Sequence, residues 1–182
     1  YRAVMKAALT PDKHVLLMGE TGTGKEVIAN VMHHCSGGPQ RPFQAVNCAT
    51  LGSELAASEI FGHEKGAFTG ATKQRKGLIE TGDGGTLLID EVHYLEPRER
   101  GMLLRYLEER KFRRLGGEEE ISINTRVIAA TNKSGFLSDD KDVRDSGFIQ
   151  RFQIVVTLPT LRDRPTDIDS LVVHLARDIE PG

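Results

Sequence analysis

Gly19-Glu20-Thr21-Gly22-Thr23-Gly24-Lys25 follows an apolar run, Val15-Leu16-Leu17-Met18, and precedes a segment with helical spacing. The run predicts a buried strand, Val15–Met18, and the spacing predicts a helix over residues 25–34. Glycines in such a loop let backbone N–H groups turn inward around phosphate oxygens, and the helix N-terminus adds a favourable dipole. A strand before the loop and a helix after it are the context in which GxxxxGK indicates nucleotide binding rather than an ordinary glycine-rich turn.

Lys25 is the cation of this loop. We expect its ammonium to meet the β- and γ-phosphates of ATP, whereas the alternative is a lysine exposed on a surface turn. Glu26 follows it, at the position where such loops usually carry the Ser or Thr that binds Mg²⁺. The inner ligands of the metal therefore stay open between water and the nearby Thr23. The predicted nucleotide contacts are Gly19, Glu20, Thr21, Gly22, Thr23, Gly24, Lys25 and Glu26.

Two acids end a second apolar run, Thr86-Leu87-Leu88-Ile89-Asp90-Glu91. The run predicts a central buried strand, and ligands of open α/β sheets sit at the carboxyl edge of the strands. We expect Asp90 to hold Mg²⁺, directly or through water, and Glu91 to orient and polarise the attacking water. A strand that stops at two solvated acids is the alternative, but a phosphate-binding loop in the same chain favours the ATPase interpretation.

The remaining chain alternates between strand and helix patterns. Strands are predicted at Phe43–Asn47, 125–130 and 154–158, and helices at Ser53–Phe61 and Pro97–Glu109. A last amphipathic helix is predicted after Pro165. This alternation predicts an α/β fold, a three-layer αβα sandwich with a five-stranded, mainly parallel sheet. The residues expected to face inward include Val27, Ile28, Val31 and Met32 of the first helix and Leu55, Ile60 and Phe61 of the next.

Composition narrows the class of protein. The 182 residues carry a formal net charge of −2, so no overall basic field favours nucleic-acid binding by this chain. No apolar run approaches the ~20 residues of a membrane helix. Cys35 and Cys48 make no disulfide framework, and the N-terminus lacks both Met and a signal-peptide layout. We therefore expect an excised domain of a cytoplasmic protein without membrane contact.

Gly66-Ala67-Phe68-Thr69-Gly70-Ala71 lies between the two motifs, although an ATPase does not require it. Its small residues have little to pack, so we expect an exposed, mobile tip rather than part of the core. GAFTGA within this frame resembles the central AAA+ ATPase domain of sigma-54-dependent transcriptional activators, the bacterial enhancer-binding proteins. The resemblance covers residues 15–164, and that family also carries Glu after the lysine of its phosphate loop.

The resemblance implies a P-loop NTPase AAA+ core in which ATP hydrolysis remodels sigma-54 RNA polymerase. The GAFTGA loop would grip sigma-54, with Phe68 giving apolar contact and Thr69 a hydroxyl. The family works as a hexameric ring and binds DNA through a separate domain. Two alternatives stay open: a nucleotide-binding regulatory module with weak hydrolysis, and another AAA+ remodelling ATPase such as a helicase loader, against which GAFTGA argues.

The resemblance also assigns roles to polar residues at strand ends. Asn47 would hydrogen-bond the catalytic glutamate and release it when the nucleotide state changes. Thr131 and Asn132 would form sensor I, which reads the γ-phosphate. The arginine supplied to the next subunit would be Arg151 or Arg144, whose spacing departs from the family by one residue. A surface arginine paired with a neighbouring aspartate is the competing interpretation.

Two further expectations concern segments rather than single residues. A short loop at residues 93–100 would relay the state of Asp90 and Glu91 to the GAFTGA loop. Residues 1–164 would form the AAA+ core, and residues 165–182 would begin a helical lid with Ile168, Leu171, Val172 and Leu175 on one face. Since the family's lid closes the adenine site and carries a sensor arginine, we expect this polypeptide by itself to be a weak ATPase.

Overall fold

Strands and helices alternate through the part of the chain that the computed structural model describes, residues 2–37, 40–51, 53–133 and 147–167. Three 3-10 turns, Val92–Tyr94, Ile149–Arg151 and Leu161–Asp163, accompany them. The strands are β1 Val15–Met18, β2 Phe43–Asn47, β3 Gly62–His63, β4 Arg75–Lys76, β5 Thr86–Asp90, β6 Lys111–Phe112, β7 Ile121–Ser122, β8 Arg126–Thr131 and β9 Ile154–Thr157. The helices are α1 Arg2–Ala8, α2 Lys25–Gly37, α3 Cys48–Leu51, α4 Ser53–Phe61, α5 Leu78–Thr81 and α6 Pro97–Glu109.

Five parallel strands form the central sheet, in the order β2-β5-β8-β1-β9. All six residues of β8, in the middle of the sheet, are buried, as expected where helices cover both faces. The register aligns Met18 with Thr131 and Asn47 with Asp90, so these strand ends share one edge. The predicted α/β fold with a five-stranded parallel sheet is confirmed.

Alternate residues of each strand feed two separate cores, one on each face of the sheet. One core combines Leu16 and Ile89 with residues of α4, α5 and α6, such as Phe61 and Tyr106. The other combines residues of the opposite parity with α1 and α2, including Met32. This is the three-layer arrangement that the alternating pattern predicts, because each strand presents successive side chains to opposite faces.

The buried stripe of α2 differs from the predicted one. Val27 and Val31 are 66% and 46% exposed, whereas Lys25, Ala29 and Met32 are buried. Successive residues of an α-helix are about 100° apart, so Val27 lies on the side opposite a stripe that begins at Lys25. The phosphate-binding loop fixes Lys25 inward, and this sets the rotation of the helix against its apolar periodicity.

A similar difference affects α4. Ile60 and Phe61 are fully buried as expected, but Leu55 is 56% exposed, and the small Ala56 and Ala57 are buried in its place. The alanines bring the helix backbone close to the sheet. The prediction that Leu55 faces inward is therefore wrong.

Two predicted features lie outside the described residues. These are Arg144 and the apolar face of the helix after Pro165, with Ile168, Leu171, Val172 and Leu175. In the described part of the chain, no helix combines the length and the apolar character that crossing a bilayer requires.

Tyr106 links α6 to the start of β8. Its fully buried hydroxyl donates to the Thr125 carbonyl oxygen at 2.7 Å and accepts the Thr125 N–H at 2.9 Å. We expect Tyr106→Phe to lower the free energy of unfolding by about 1–3 kcal/mol, because a buried N–H loses its acceptor. Tyr94→Phe, at a tyrosine that is 53% exposed, should change it by less than about 0.5 kcal/mol. Urea denaturation followed by circular dichroism measures both, and equal stability of the two variants would contradict the assignment.

Candidate functional site

The loop from Gly19 to Lys25 wraps around the N-terminus of α2. Gly22 and Gly24 have φ angles of 81° and 85°, which L-residues rarely adopt, so this path depends on glycine. The Lys25 ammonium lies inside the loop and donates to the Gly19 and Glu20 carbonyl oxygens at 2.9 and 3.1 Å. The lysine is 8% exposed. The alternative of a lysine exposed on a surface turn is therefore wrong.

Contacts from the end of the sheet hold this loop in place. The Thr23 hydroxyl donates to the Glu20 carbonyl oxygen at 2.8 Å, so it is engaged within the loop. Arg164 donates to the Thr23 carbonyl oxygen at 2.6 Å, and Arg162 donates to the Glu20 carboxylate at 3.1 Å. The sequence did not predict that either arginine belongs to the site, because Arg162 and Arg164 are marked in it only by their position in the connection after β9.

Asp90 and Glu91 lie where β5 ends, beside Asn47 at the end of β2. The Asn47 amide donates to Asp90 Oδ2 at 3.3 Å, so its carboxylate partner is Asp90 and not the predicted Glu91. Direct pairing of the two residues across the parallel strands explains this contact. Glu91 adopts φ 53° and ψ 47°, a left-handed conformation that turns the chain sharply out of the sheet.

The end of β8 joins the loop to Glu91. The Asn132 side chain donates to Thr21 Oγ1 at 3.0 Å, and its backbone N–H donates to Glu91 Oε2 at 3.1 Å. Thr131 is buried, and its hydroxyl lies 2.9 Å from Nδ1 of His93. The structure thus brings the predicted sensor residues together with the phosphate loop and the predicted catalytic carboxylate.

A cleft of about 240 Å³ beside α2 supplies oxygen donors. Glu26, Asn47 and Asp90 line it. Mg²⁺ in nucleotide sites is usually held by one or two carboxylates together with waters and substrate phosphates, so this donor set fits the metal. Burial, with Asp90 and Glu91 adding to it, raises the pKa of the neighbouring Cys48 thiol to about 12, which keeps the thiol protonated.

Of the two arginine candidates, Arg151 is the one that lies within the described residues. Arg151 is in the 3-10 turn before β9 and forms an exposed ion pair with Glu108 of α6. The sequence did not suggest this partner, and the aspartates that it did suggest, Asp142 and Asp145, lie outside the described residues. An exposed pair of this kind contributes little to stability, so Glu108 can release the guanidinium at small cost.

The GAFTGA loop closes on itself. The Gly66 N–H donates to the Ala71 carbonyl oxygen at 2.8 Å, and the Ala71 N–H donates to the Phe68 carbonyl oxygen at 3.0 Å. The Phe68 ring is half-buried and lies edge-on to His63, with ring centroids 5.0 Å apart. Thr69 is exposed. The tip therefore presents its hydroxyl to solvent, while its aromatic ring is docked on the base of the loop.

The base of the GAFTGA loop pairs with the hairpin of β6 and β7. The Leu115 N–H donates to the Gly62 carbonyl oxygen, and the Glu64 N–H donates to the Leu115 carbonyl oxygen, both at 3.0 Å. A Cβ at Gly116 would lie 2.8 Å from the Cβ of Ala67, so glycine is needed for this close approach. The GAFTGA loop thus contacts the hairpin. The predicted relay segment, residues 93–100, begins beside Glu91, and its relay role stays a prediction.

A charged network reinforces this contact. Arg114 donates to Glu64 and to Glu80, each at 2.8 Å, and Gln74 donates to Glu64 at 2.9 Å. The hydrogen bond from Arg114 lowers the pKa of Glu64. The hydrogen bonds to Glu64 and to Glu80 in turn raise the pKa of Arg114. The Arg114 side chain is 9% exposed, so its pairing is better shielded from solvent than a surface ion pair.

Comparison with known protein families and curated proteins indicates the family to which this chain is similar. The family model described as the Sigma-54 interaction domain matches residues 1–151. The Nif-specific regulatory protein of Azotobacter vinelandii is 45% identical over 162 residues, which are 88% of this chain and 31% of that protein. The DNA-binding transcriptional activator HyfR of Escherichia coli strain K12 is 46% identical over 167 residues, which are 91% of this chain and 25% of that protein. The chain therefore spans about a third or less of these relatives.

Solved structures agree with the family model. NtrX from Brucella abortus in complex with ADP superimposes with a TM-score of 0.82 at 28% identity, covering 98% of this chain and 38% of that one. Its complex with ATP gives a TM-score of 0.80. Since the family model covers most of the chain and the relatives exceed 40% identity, the chain belongs to the sigma-54 interaction domain family, the AAA+ ATPase domains of sigma-54-dependent transcriptional activators.

Proposed function

We propose that this chain hydrolyses ATP and couples hydrolysis through its GAFTGA loop to the remodelling of sigma-54 RNA polymerase. One observation carries the proposal: Asn132 contacts Thr21 of the phosphate loop with its side chain and Glu91 with its backbone N–H. Three strand ends thereby meet where a γ-phosphate and an attacking water would have to lie. NtrX, which this chain resembles, was solved in complex with ADP and with ATP, and this supports nucleotide binding.

In the proposed mechanism each residue has a separate task. The backbone N–H groups of the glycine loop and the Lys25 ammonium hold the phosphates of ATP. Glu91 orients the attacking water, and Asn132 senses the γ-phosphate. Glu26 and Asp90 would hold Mg²⁺, with Asn47 orienting the Asp90 carboxylate. The metal, when bound, neutralises charge on the phosphate oxygens.

The base of the nucleotide would lie where the core meets the following segment. A cavity of about 290 Å³ opens there beside the phosphate loop, lined by Val4, Ile28, Leu158 and Arg164 among others. We propose residues 1–164 as the core and residues 165–182 as the start of a lid over this cavity. By itself the polypeptide would then be a weak ATPase, because base binding and subunit contacts would depend on the rest of a lid.

The partners follow from the loop and from the arginine. Thr69 and Phe68 at the tip would contact sigma-54, with Phe68 leaving His63 to do so. Arg151 would serve the neighbouring subunit of a hexameric ring, in the cytoplasm where RNA polymerase acts. DNA contact would come from a separate domain of the intact protein.

The division of labour between Lys25 and Glu91 is testable. Lys25→Ala should weaken ATP binding by more than tenfold, because it removes the cation that meets the phosphates. Glu91→Gln should bind ATP normally and lose about 10²–10⁴-fold in turnover, since an amide cannot polarise water. Titration with a fluorescent ATP analogue and a phosphate-release assay on the intact protein separate the two effects. Equal loss of affinity in both variants would contradict these roles.

Thr69→Ala should abolish transcription activation and keep ATPase activity within about twofold, because the exposed hydroxyl lies outside the catalytic cluster. Thr72→Ala is the matched control, an exposed threonine just beyond the loop, and should keep both activities. Open-complex formation on a sigma-54 promoter and phosphate release measure the two functions in the intact protein. Loss of ATPase together with activation would mean that Thr69 has a structural role only.

Arg151→Ala should lower ATPase turnover by about 10³-fold, because an arginine that meets transition-state charge contributes on that scale. Arg105→Ala, which removes another exposed arginine paired with glutamates, should leave turnover unchanged. Mixing Arg151→Ala with Lys25→Ala subunits should restore part of the activity, since the second variant supplies Arg151 to ATP held by the first. No recovery on mixing would place the action of Arg151 within its own subunit.

A further inference from the structure

His93 bridges the ends of two neighbouring strands at the candidate site. It follows Asp90 and Glu91 in the 3-10 turn Val92–Tyr94, and its side chain is 12% exposed. Nδ1 of its ring lies 2.9 Å from Thr131 Oγ1 and 3.4 Å from Glu91 Oε2. The ring also stacks on Tyr94, with centroids 4.5 Å apart at an interplanar angle of 37°. A single nitrogen thus faces the end of β8 and the carboxylate at the end of β5.

The chemistry of the two oxygens selects the tautomer of the ring. The ionised Glu91 carboxylate can only accept hydrogen bonds, whereas the Thr131 hydroxyl can donate or accept. A lone pair on Nδ1 would face the carboxylate and repel it. A proton on Nδ1 is attracted by both oxygens, and it leaves the Thr131 hydroxyl proton for another acceptor. Burial lowers the pKa of His93, which is consistent with a neutral ring carrying this one proton.

The backbone conformation of Glu91 depends on the contacts that surround this residue. Glu91 is one of two non-glycine residues with positive φ in the described part of the chain, so its conformation is held by its surroundings. Its N–H donates to Asp90 Oδ1 at 3.0 Å, and its Oε2 accepts from the Asn132 N–H at 3.1 Å. A proton on His93 Nδ1, which lies 3.4 Å away, would place a second donor beside the same carboxylate oxygen. Two donors at different angles restrict the rotation of a carboxylate more than one donor does.

We propose that His93 is a positioning residue for Glu91: its Nδ1–H, shared with Thr131, holds the carboxylate in the orientation needed to polarise water. The inference rests on the proposed ATPase function, because it concerns the group that acts on water. His93 need not touch ATP. Loss of the contact should therefore change kcat and leave nucleotide binding unaltered.

Two amide variants test this geometry. Asn places its amide nitrogen near the position of the histidine Nδ1, whereas Gln places it near Nε2. We expect His93→Ala and His93→Gln to lower kcat about tenfold at unchanged KM, because a loosened carboxylate loses its alignment with the water. His93→Asn should stay within about twofold of the wild type. His34→Ala, at an exposed histidine of α2, is the matched control and should behave as wild type.

The measurements are phosphate release by the intact protein, with urea denaturation to confirm that each variant folds, and the ring ¹⁵N chemical shifts of His93. The shifts should show a proton on Nδ1 and should change in Glu91→Gln. If the wild-type protein hydrolyses ATP and both His93→Ala and His93→Gln keep its full kcat, the positioning role is overturned and the proposed function stands. A proton on Nε2 instead of Nδ1 would have the same consequence. A folded wild-type protein that binds ATP without turnover would instead overturn the proposed function and this inference with it.

Discussion

Parallel pairing of β5, β8 and β1 is the constraint on which the rest of the site depends. Because parallel strands all end at the same edge, the ends of β1, β5 and β8 lie together there: Met18 is aligned with Thr131, and Ile89, just before Asp90, with Ala129. The middle of each of these strands is apolar, and β5 and β8 end on the polar Asp90 and Thr131 where they leave the sheet. The energy of burying both sheet faces therefore places the polar groups, and short hydrogen bonds such as that from Asn132 to Glu91 only refine their positions.

The same constraint separates the cluster of strand-end residues around Glu91 from the GAFTGA loop. The cluster lies at the carboxyl edge of the sheet, whereas the loop leaves α4 through Gly62 and rests on the hairpin at Leu115. Arg114, nearly buried between Glu64 and Glu80, fixes that hairpin to both the loop and α5.

Sequence patterns predicted the features that are local and repeated. The glycine loop between strand and helix, the acids at the end of β5 and all five parallel strands follow from hydrophobic runs of a few residues. The patterns did not predict the features that depend on contacts between segments far apart in the sequence. Val27 faces outward because the loop fixes the rotation of α2, Asn47 meets Asp90 because of strand register, and Arg162 reaches the loop from far along the chain. A single sequence contains no direct signal for such contacts, since neither register nor helix rotation is a local property.

The strained turn at Glu91 is a local feature that depends on contacts with distant segments. A non-glycine residue in the left-handed region costs about 1–2 kcal/mol, so the turn persists only where surrounding contacts favour it. One such contact comes from the end of β8, through the Asn132 N–H, and Nδ1 of His93 lies between Thr131 and the same carboxylate oxygen. The orientation of the Glu91 carboxylate is thus tied to a neighbouring strand rather than to its own. Since the Asn132 side chain also contacts Thr21, a shift of the phosphate loop would act on the partners of Glu91 before it acted on Glu91 itself.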